Sequence, residues 1–280
     1  PTFVHIHLDR LQSNYQWIAA APSQSSFVCP MVKANAYGHG DIEVVKALEQ
    51  VQCPQVGVAS IEEALHLRQG GVHLEVLVFG FFSADEVSLI HKYQLTPVVS
   101  QLAQLRWLCQ SEVPTSVHLK FNSGMNRLGL DPSDGPEVLK LLQNSPHLKV
   151  IGLCTHLLEG EDMAEAQGFS QNQIEVWKNS MAPFVGQNQA HHVYNSAGMA
   201  HFLGQKLTLP HGCRPGLLVY GVEAHPQWRL KPQISPVLEY KSKIVAEQKV
   251  KSGQVVSYSG TWQARRDSRV LIVPVGYGDG

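Results

Sequence analysis

From residue 26 to about residue 222, this chain alternates short apolar runs with stretches of helical periodicity. The runs lie at 27–32, 55–59, 75–80, 95–99, 116–121, 150–155, 192–195 and 216–220. Amphipathic segments separate them at 42–49, 61–69, 84–93, 101–110, 135–143 and 164–184. Eight strands alternating with helices predict a closed parallel (β/α)8 TIM barrel in the α/β class, near the ~250 residues usual for that fold. An open doubly wound sheet is the alternative, but the first loop, Ala36-Tyr37-Gly38-His39-Gly40, lacks the G-x-G-x-x-G fingerprint of that architecture. A helix over 8–20, with Leu8, Leu11, Tyr15 and Ile18 on one face, precedes the barrel. After Glu223 the pattern changes. Segments 237–246, 255–258 and 270–275 read as strands without intervening helices. The expected division is a barrel over 1–225 and a mostly β C-terminal domain over 226–280, beginning near Pro226. That second domain ends on the turn signal Tyr277-Gly278-Asp279-Gly280 and reads as incomplete.

Composition narrows the function classes. The formal net charge of -1 leaves no electrostatic footprint for nucleic acid. No apolar run approaches the ~20 residues of a membrane helix. Residues 1–9 carry no basic region followed by an apolar core, so no signal peptide is visible. The five cysteines are scattered, odd in number and without C-x-x-C spacing, which points to buried free thiols and a cytoplasmic protein. There are 14 histidines but no H-E-x-x-H pattern. The adjacent pair His191-His192 would point to opposite faces of a strand. No metal site is expected.

The chemistry gathers at strand ends. Lys33 closes the first apolar run, and in α/β barrels the carboxyl ends of the strands face the active site. A lysine among apolar neighbours can lose its charge through desolvation, and the neutral amine forms Schiff bases with carbonyls such as that of pyridoxal phosphate. A snorkelling lysine is the structural alternative. The fifth run carries Lys120 and leads to Arg127. The sixth ends at Thr155-His156, the seventh at Asn195-Ser196, and the eighth is preceded by Arg214. Singly, Arg127 or Ser196 could cap a helix, and His156 could be a satisfied buried histidine. Around the ends of successive strands they form a catalytic rim, with Ser196 and Gly216 in the customary phosphate region of such barrels.

The motifs Val32–Gly40 (VKANAYGHG), Ser123–Gly129 (SGMNRLG), Tyr194–Gly198 (YNSAG), Arg214–Gly221 (RPGLLVYG), Val256–Tyr258 (VSY) and Val275–Gly280 (VGYGDG) give the chain its resemblance to bacterial alanine racemases, fold-type III pyridoxal phosphate enzymes. The resemblance runs the length of the chain in the family's order. It implies that Lys33 carries pyridoxal 5'-phosphate covalently and acts as one catalytic base. Tyr37 and Ser196, with backbone groups of Gly216 and Leu217 and the neighbouring Asn195, would hold the phosphate. Arg214 would face the pyridine nitrogen. Arg127 would meet the substrate carboxylate. Lys120 matches a position often carbamylated, and His156 would support Arg214. Tyr258 would be the second base, delivered to a partner subunit's site in a homodimer. The implied reaction interconverts L- and D-alanine and supplies D-alanine for peptidoglycan.

Two positions depart from the family pattern. Asn122 stands where an aspartate is expected, and Ser259 follows Tyr258 where glycine is common. A serine or broad-spectrum racemase shares this scaffold. A fold-type III decarboxylase typically has a glycine run where this chain has Tyr194–Gly198. A non-catalytic pyridoxal phosphate-binding homologue would lack the β domain that carries Tyr258.

Overall fold

The computed structural model describes residues 2–20, 27–160, 168–204, 211–222 and 234–279. The start of the expected 164–184 helix, the expected boundary near Pro226 and the final Gly280 lie outside them. Two compact units result: Leu8–Val237, and Pro1–His7 together with Leu238–Gly280.

The smaller unit is built from antiparallel pairs. β1 (Phe3–Ile6) is an N-terminal strand that the sequence division had counted with the barrel. The parallel strands of the larger unit are β2 (Gln55–Val58), β3 (Glu75–Val78), β4 (Thr96–Val99), β5 (Thr115–Lys120), β6 (Leu148–Cys154), β7 (Ala190–Tyr194) and β8 (Gly212–Cys213). Among the described residues five further strands belong to the smaller unit, the first four being β9 (Leu238–Lys241), β10 (Ala246–Val250), β11 (Val255–Val256) and β12 (Trp262–Gln263). The last is β13 (Ser268–Ile272). There β1 pairs with β9, β10 with β13 and β11 with β12. The expected single strand over 237–246 is thus two strands with different partners.

In the larger unit, β2 to β8 lie side by side in chain order. Helices follow each strand up to Ser196–Gly204, which succeeds β7. The expected first strand, 27–32, closes the ring through two parallel bridges, Val28 to Cys213 and Met31 to Gly57. Its backbone pairs to both sides: Cys29 N–H donates to Cys213 O (3.0 Å) and Val32 N–H to Gly57 O (2.8 Å). Pro30 interrupts the ladder because it has no N–H to give.

The expected eighth strand at 216–220 is a correction. The eighth strand is β8, four residues upstream, while 216–220 coils through successive three-residue bonds: Val219 N–H to Gly216 O, Tyr220 N–H to Leu217 O and Gly221 N–H to Leu218 O. Pro215 has no N–H to give, but its carbonyl still accepts from Met31 N–H at 2.9 Å, so backbone pairing runs on to the start of the coil. Arg214 therefore follows a strand instead of opening one, and lands on the carboxyl rim. The expected helix at 84–93 is also divided, into a 3-10 turn, Ala84–Glu86, and a helix, Val87–Lys92.

The barrel interior is apolar at one level, where Cys29, Leu77, Val98 and Cys154 pack with Phe27 and Phe79. Two polar rings are buried beside it, both packed on Phe27. His118 and His192 are 1% and 0% exposed. Space for His118 is made by the neighbouring strand: a Cβ on Gly152 would overlap its ring. Gly152→Ala is therefore expected to destabilise the barrel by about 1–3 kcal/mol, the usual cost of overpacking a core. Urea unfolding midpoints with an unchanged slope would measure it, and an unchanged midpoint would show that the ring can yield.

Candidate active site

Each expected barrel residue sits where a strand hands over to its loop. Lys33 follows the closing segment, Lys120 ends β5, and His156 lies just after β6. Asn195 and Ser196 follow β7, and Arg214 follows β8. With Tyr37, Arg127, Gly216 and Leu217 they line one cavity of about 470 Å³. Tyr258 belongs to the other unit, where its side chain is fully in solvent at 91% exposure. Ser257 and Ser259 on either side of it have φ of 64° and 62°, the left-handed region in which glycine is at ease. That explains why glycine would suit position 259.

Arg214 is the centre of the polar network. Its guanidinium donates to His192 Nδ1 (2.6 Å), to the carbonyls of His192 (2.8 Å) and Thr155 (2.6 Å), and to His156 Nδ1 (3.2 Å). Arginine can only donate, so both histidines accept at Nδ1 and carry their proton on Nε2. His192 Nε2 then donates to His118 Nδ1 at 2.8 Å. The direction of the whole chain is set by one guanidinium. Burial, and then the Arg214 charge, push His118 down to about 3 and His156 to about 2. The same causes hold His192 well below the usual histidine range. All three rings are neutral at ordinary pH.

Sequence reasoning missed His118 and treated His192 only as half of a metal candidate. A signal was present: His118 and Lys120 are two apart on β5, so they share its inner face. Among the described residues no cluster of three or more His, Cys, Asp or Glu side chains could hold a metal ion.

The opposite wall is an anion cradle. Asn195, not Ser196, caps the helix Ser196–Gly204, since its Oδ1 accepts from Gly198 N–H at 2.8 Å. The Ser196 hydroxyl is left for the next loop, and accepts from the amides of Gly216 (3.0 Å) and Leu218 (3.3 Å). Leu217 lines the cavity between them. Two amides converging on a hydroxyl oxygen at a helix start is an arrangement that suits an anion. Tyr37 closes the cradle: its Oη stands 2.5 Å from where a Cβ on Gly216 would lie, so any side chain there would displace the Tyr37 ring.

The charges lining the cavity are Lys33, Lys120, Arg127 and Arg214, and no aspartate or glutamate lines it among the described residues. Lys120 is 6% exposed. Burial, with repulsion from Arg214, Arg127 and Lys33, brings its ammonium down to about 8, although Cys154 opposes the shift. Asn122 keeps the acceptor role open to an aspartate without the charge: its Oδ1 takes the amides of Gly124 (3.2 Å) and Asn126 (3.0 Å).

The turn after Lys33 is unusual. Ala34, Asn35, Ala36 and Tyr37 have φ of 52°, 52°, 52° and 54°, a complete left-handed turn without glycine. Such residues cost roughly 1–2 kcal/mol each and persist only where their surroundings fix them. The turn brings the Tyr37 ring to 5.9 Å from Lys33 Nζ.

Residues 6–224 match the family model for the alanine racemase N-terminal domain, and 237–280 that for its C-terminal domain. The chain belongs to the alanine racemase family. The alanine racemase of Xylella fastidiosa (strain 9a5c) is 34% identical over 285 residues, spanning all of this chain and 76% of that protein. The biosynthetic alanine racemase of Pseudomonas aeruginosa superposes with a TM-score of 0.86 at 26% identity, covering 100% of this chain and 76% of that one. An alanine racemase structure from Bartonella henselae, with covalently bound pyridoxal phosphate, gives 0.83 at 25% identity over 99% of this chain and 76% of that one. The fold of alanine racemases is thus the fold found here, a barrel followed by a mostly β domain.

Proposed function

We propose that the protein is a pyridoxal 5'-phosphate-dependent alanine racemase, a cytoplasmic homodimer with shared active sites that supplies D-alanine for peptidoglycan. The observation that carries this reading is the cavity: ten residues from separate strands and loops converge on it, bringing four basic side chains, the Lys33 amine among them, and an anion cradle, with no carboxylate among the described lining residues. That donor set fits a ligand with a phosphate at one end and an aldehyde at the other, together with a substrate carboxylate. Ser196, Tyr37 and backbone groups of Gly216 and Leu217 would hold the phosphate, Lys33 the aldehyde carbon and Arg214 the ring nitrogen. When bound, the group withdraws electrons from the substrate Cα and makes its proton acidic.

The chain does the rest. Lys33 exchanges the Cα proton on one face, and Tyr258 of a partner subunit exchanges it on the other. One base on each face returns the proton with inverted configuration without turning the substrate over. Arg214, held by five acceptors and unable to give up its proton, keeps the ring nitrogen an acceptor. That moderates the electron withdrawal and favours return of the proton over side reactions. Arg127 orients the carboxylate of alanine.

Lys120 would react with carbon dioxide, its amine losing a proton as the N–C bond forms, and the resulting carbamate would orient Arg127. An ammonium brought down to about 8 leaves roughly a tenth of the amine neutral at pH 7, enough for that reaction. One carbamate carbon per subunit is expected by 13C NMR in labelled bicarbonate, vanishing in Lys120→Ala. No such signal would remove the carbamate from the reading.

The function itself is tested by the circular dichroism of an L-alanine solution with protein and pyridoxal phosphate. The signal should decay to zero and do so from D-alanine as well, while L-serine keeps its signal. A stable L-alanine signal would overturn the reading.

A further inference from the structure

We propose that Glu63 is a positioning residue for Lys33, holding the strained turn that follows it; this rests on the reading of Lys33 given above. Ser60 and Glu63 have the spacing of a capping box, in which the glutamate reaches back to the amide of the capping residue. Half of the box is formed, since Glu63 N–H donates to Ser60 Oγ at 3.3 Å. The carboxylate goes elsewhere. Its Oε2 accepts from Ala59 N–H and its Oε1 from Ala34 N–H, both at 2.7 Å. These distances are those of charge-assisted hydrogen bonds.

The placement matters more than the count. Ala34 N–H belongs to the peptide unit that begins at the Lys33 carbonyl, so this bond fixes the plane on which Lys33 is mounted. Ala59 is the residue just after β2, so one carboxylate ties the ends of two neighbouring barrel segments together. The other polar contacts of the turn are local. Asn35 O accepts from Gly40 N–H, Asn35 Oδ1 accepts from Asp41 N–H, and the His39 ring nitrogen Nδ1 lies 3.0 Å from the carbonyls of both Ala36 and Tyr37. Those contacts shape the turn without anchoring it to the barrel. Among the described residues, Glu63 supplies the side-chain bond that does. A run of four left-handed residues persists only where it is over-determined, and its first peptide is where an error would displace the lysine amine.

Glu63→Gln tests this in the holoenzyme. Glutamine offers one carbonyl oxygen and presents an amide donor to the second N–H, so one of the two bonds must fail. We expect kcat to fall about 10-fold with KM for alanine within about 2-fold, the signature of a displaced reacting group and not of lost binding. Amide hydrogen exchange should quicken at Ala34 and Ala59 while the β5 and β6 amides keep their protection. Wild-type kcat in Glu63→Gln, or quickened exchange spread over the whole barrel, would overturn the proposal. So would an Ala34 amide that exchanges in the wild-type protein as fast as an open loop, a measurement that needs no variant to fold. Borohydride labelling of wild-type Lys33 is read in parallel. If no label appears, the cofactor reading has failed, and the exchange data still report on the clamp.

Discussion

Lys33→Ala is expected to lose racemase activity by about 10³-fold or more while keeping the wild-type fold. The lysine is asked both to hold the cofactor and to serve as a base, and a positioned base alone is worth about 10²–10⁴. The structure separates this from a folding defect, because the half-buried side chain reaches over the Tyr37 ring into the cavity and lies outside the core cluster around Cys29 and Leu77. A covalent readout makes the result specific. Borohydride reduction of wild-type protein with pyridoxal phosphate should fix one label per subunit, on the peptide that contains Lys33. The variant should take none. Label on Lys120 in both proteins, with activity retained in the variant, would exchange the roles of the two lysines.

A second large effect is expected in acid. His118 and His192 lie in the barrel core as neutral rings, His118 brought down to about 3 and His192 well below the usual range, chiefly by burial. In the unfolded chain each binds a proton near pH 6.5. Acidification therefore loads the unfolded chain first, and stability that is complete above about pH 6.5 drains away as pH falls below it. Each ring contributes about 1.4 kcal/mol per pH unit, so the pair contributes about 3. A reserve of the usual 5–15 kcal/mol would be spent within a few pH units. His156, brought down to about 2 by burial and then by the Arg214 charge, adds with the same sign. Urea midpoints measured from pH 7 to pH 5, above the range where carboxylates dominate, should show the slope. His118→Asn should flatten it by about 1.4 kcal/mol per unit. A midpoint independent of pH over that interval would show that the rings take up protons without unfolding.

The barrel was legible because its signal is repeated: one strand–helix alternation is ambiguous, but eight together have few solutions. The rim was legible for the same reason, since a polar residue at the end of an apolar run is unremarkable once and informative in series. The last strand was misplaced because apolar content is a poor guide near proline. Leu217-Leu218-Val219-Tyr220 is as apolar as any strand here, yet its amides close three-residue turns just after Pro215, while Gly212–Cys213 pairs although it is only two residues long. What lay beyond the sequence was partnership. No local feature announces that Glu63 will leave its own helix start for the neighbouring strand's loop, or that Arg214 will order two histidines behind it. Those contacts depend on closure of the ring, which brings residues remote in sequence to within one hydrogen bond.

The absence of carboxylates among the described residues of the cavity wall has a practical consequence at the bench. Before any cofactor arrives, four cations around one hollow make it an ion exchanger in miniature, drawing in whatever small anion the solution offers. Sulfate or phosphate in a purification buffer would lodge there, raise the melting temperature of the protein by mass action and compete with the proposed cofactor for the proposed phosphate subsite. Reconstitution carried out in a phosphate buffer would then understate the affinity of the protein for its cofactor, and a large, weakly binding organic buffer anion is the better choice.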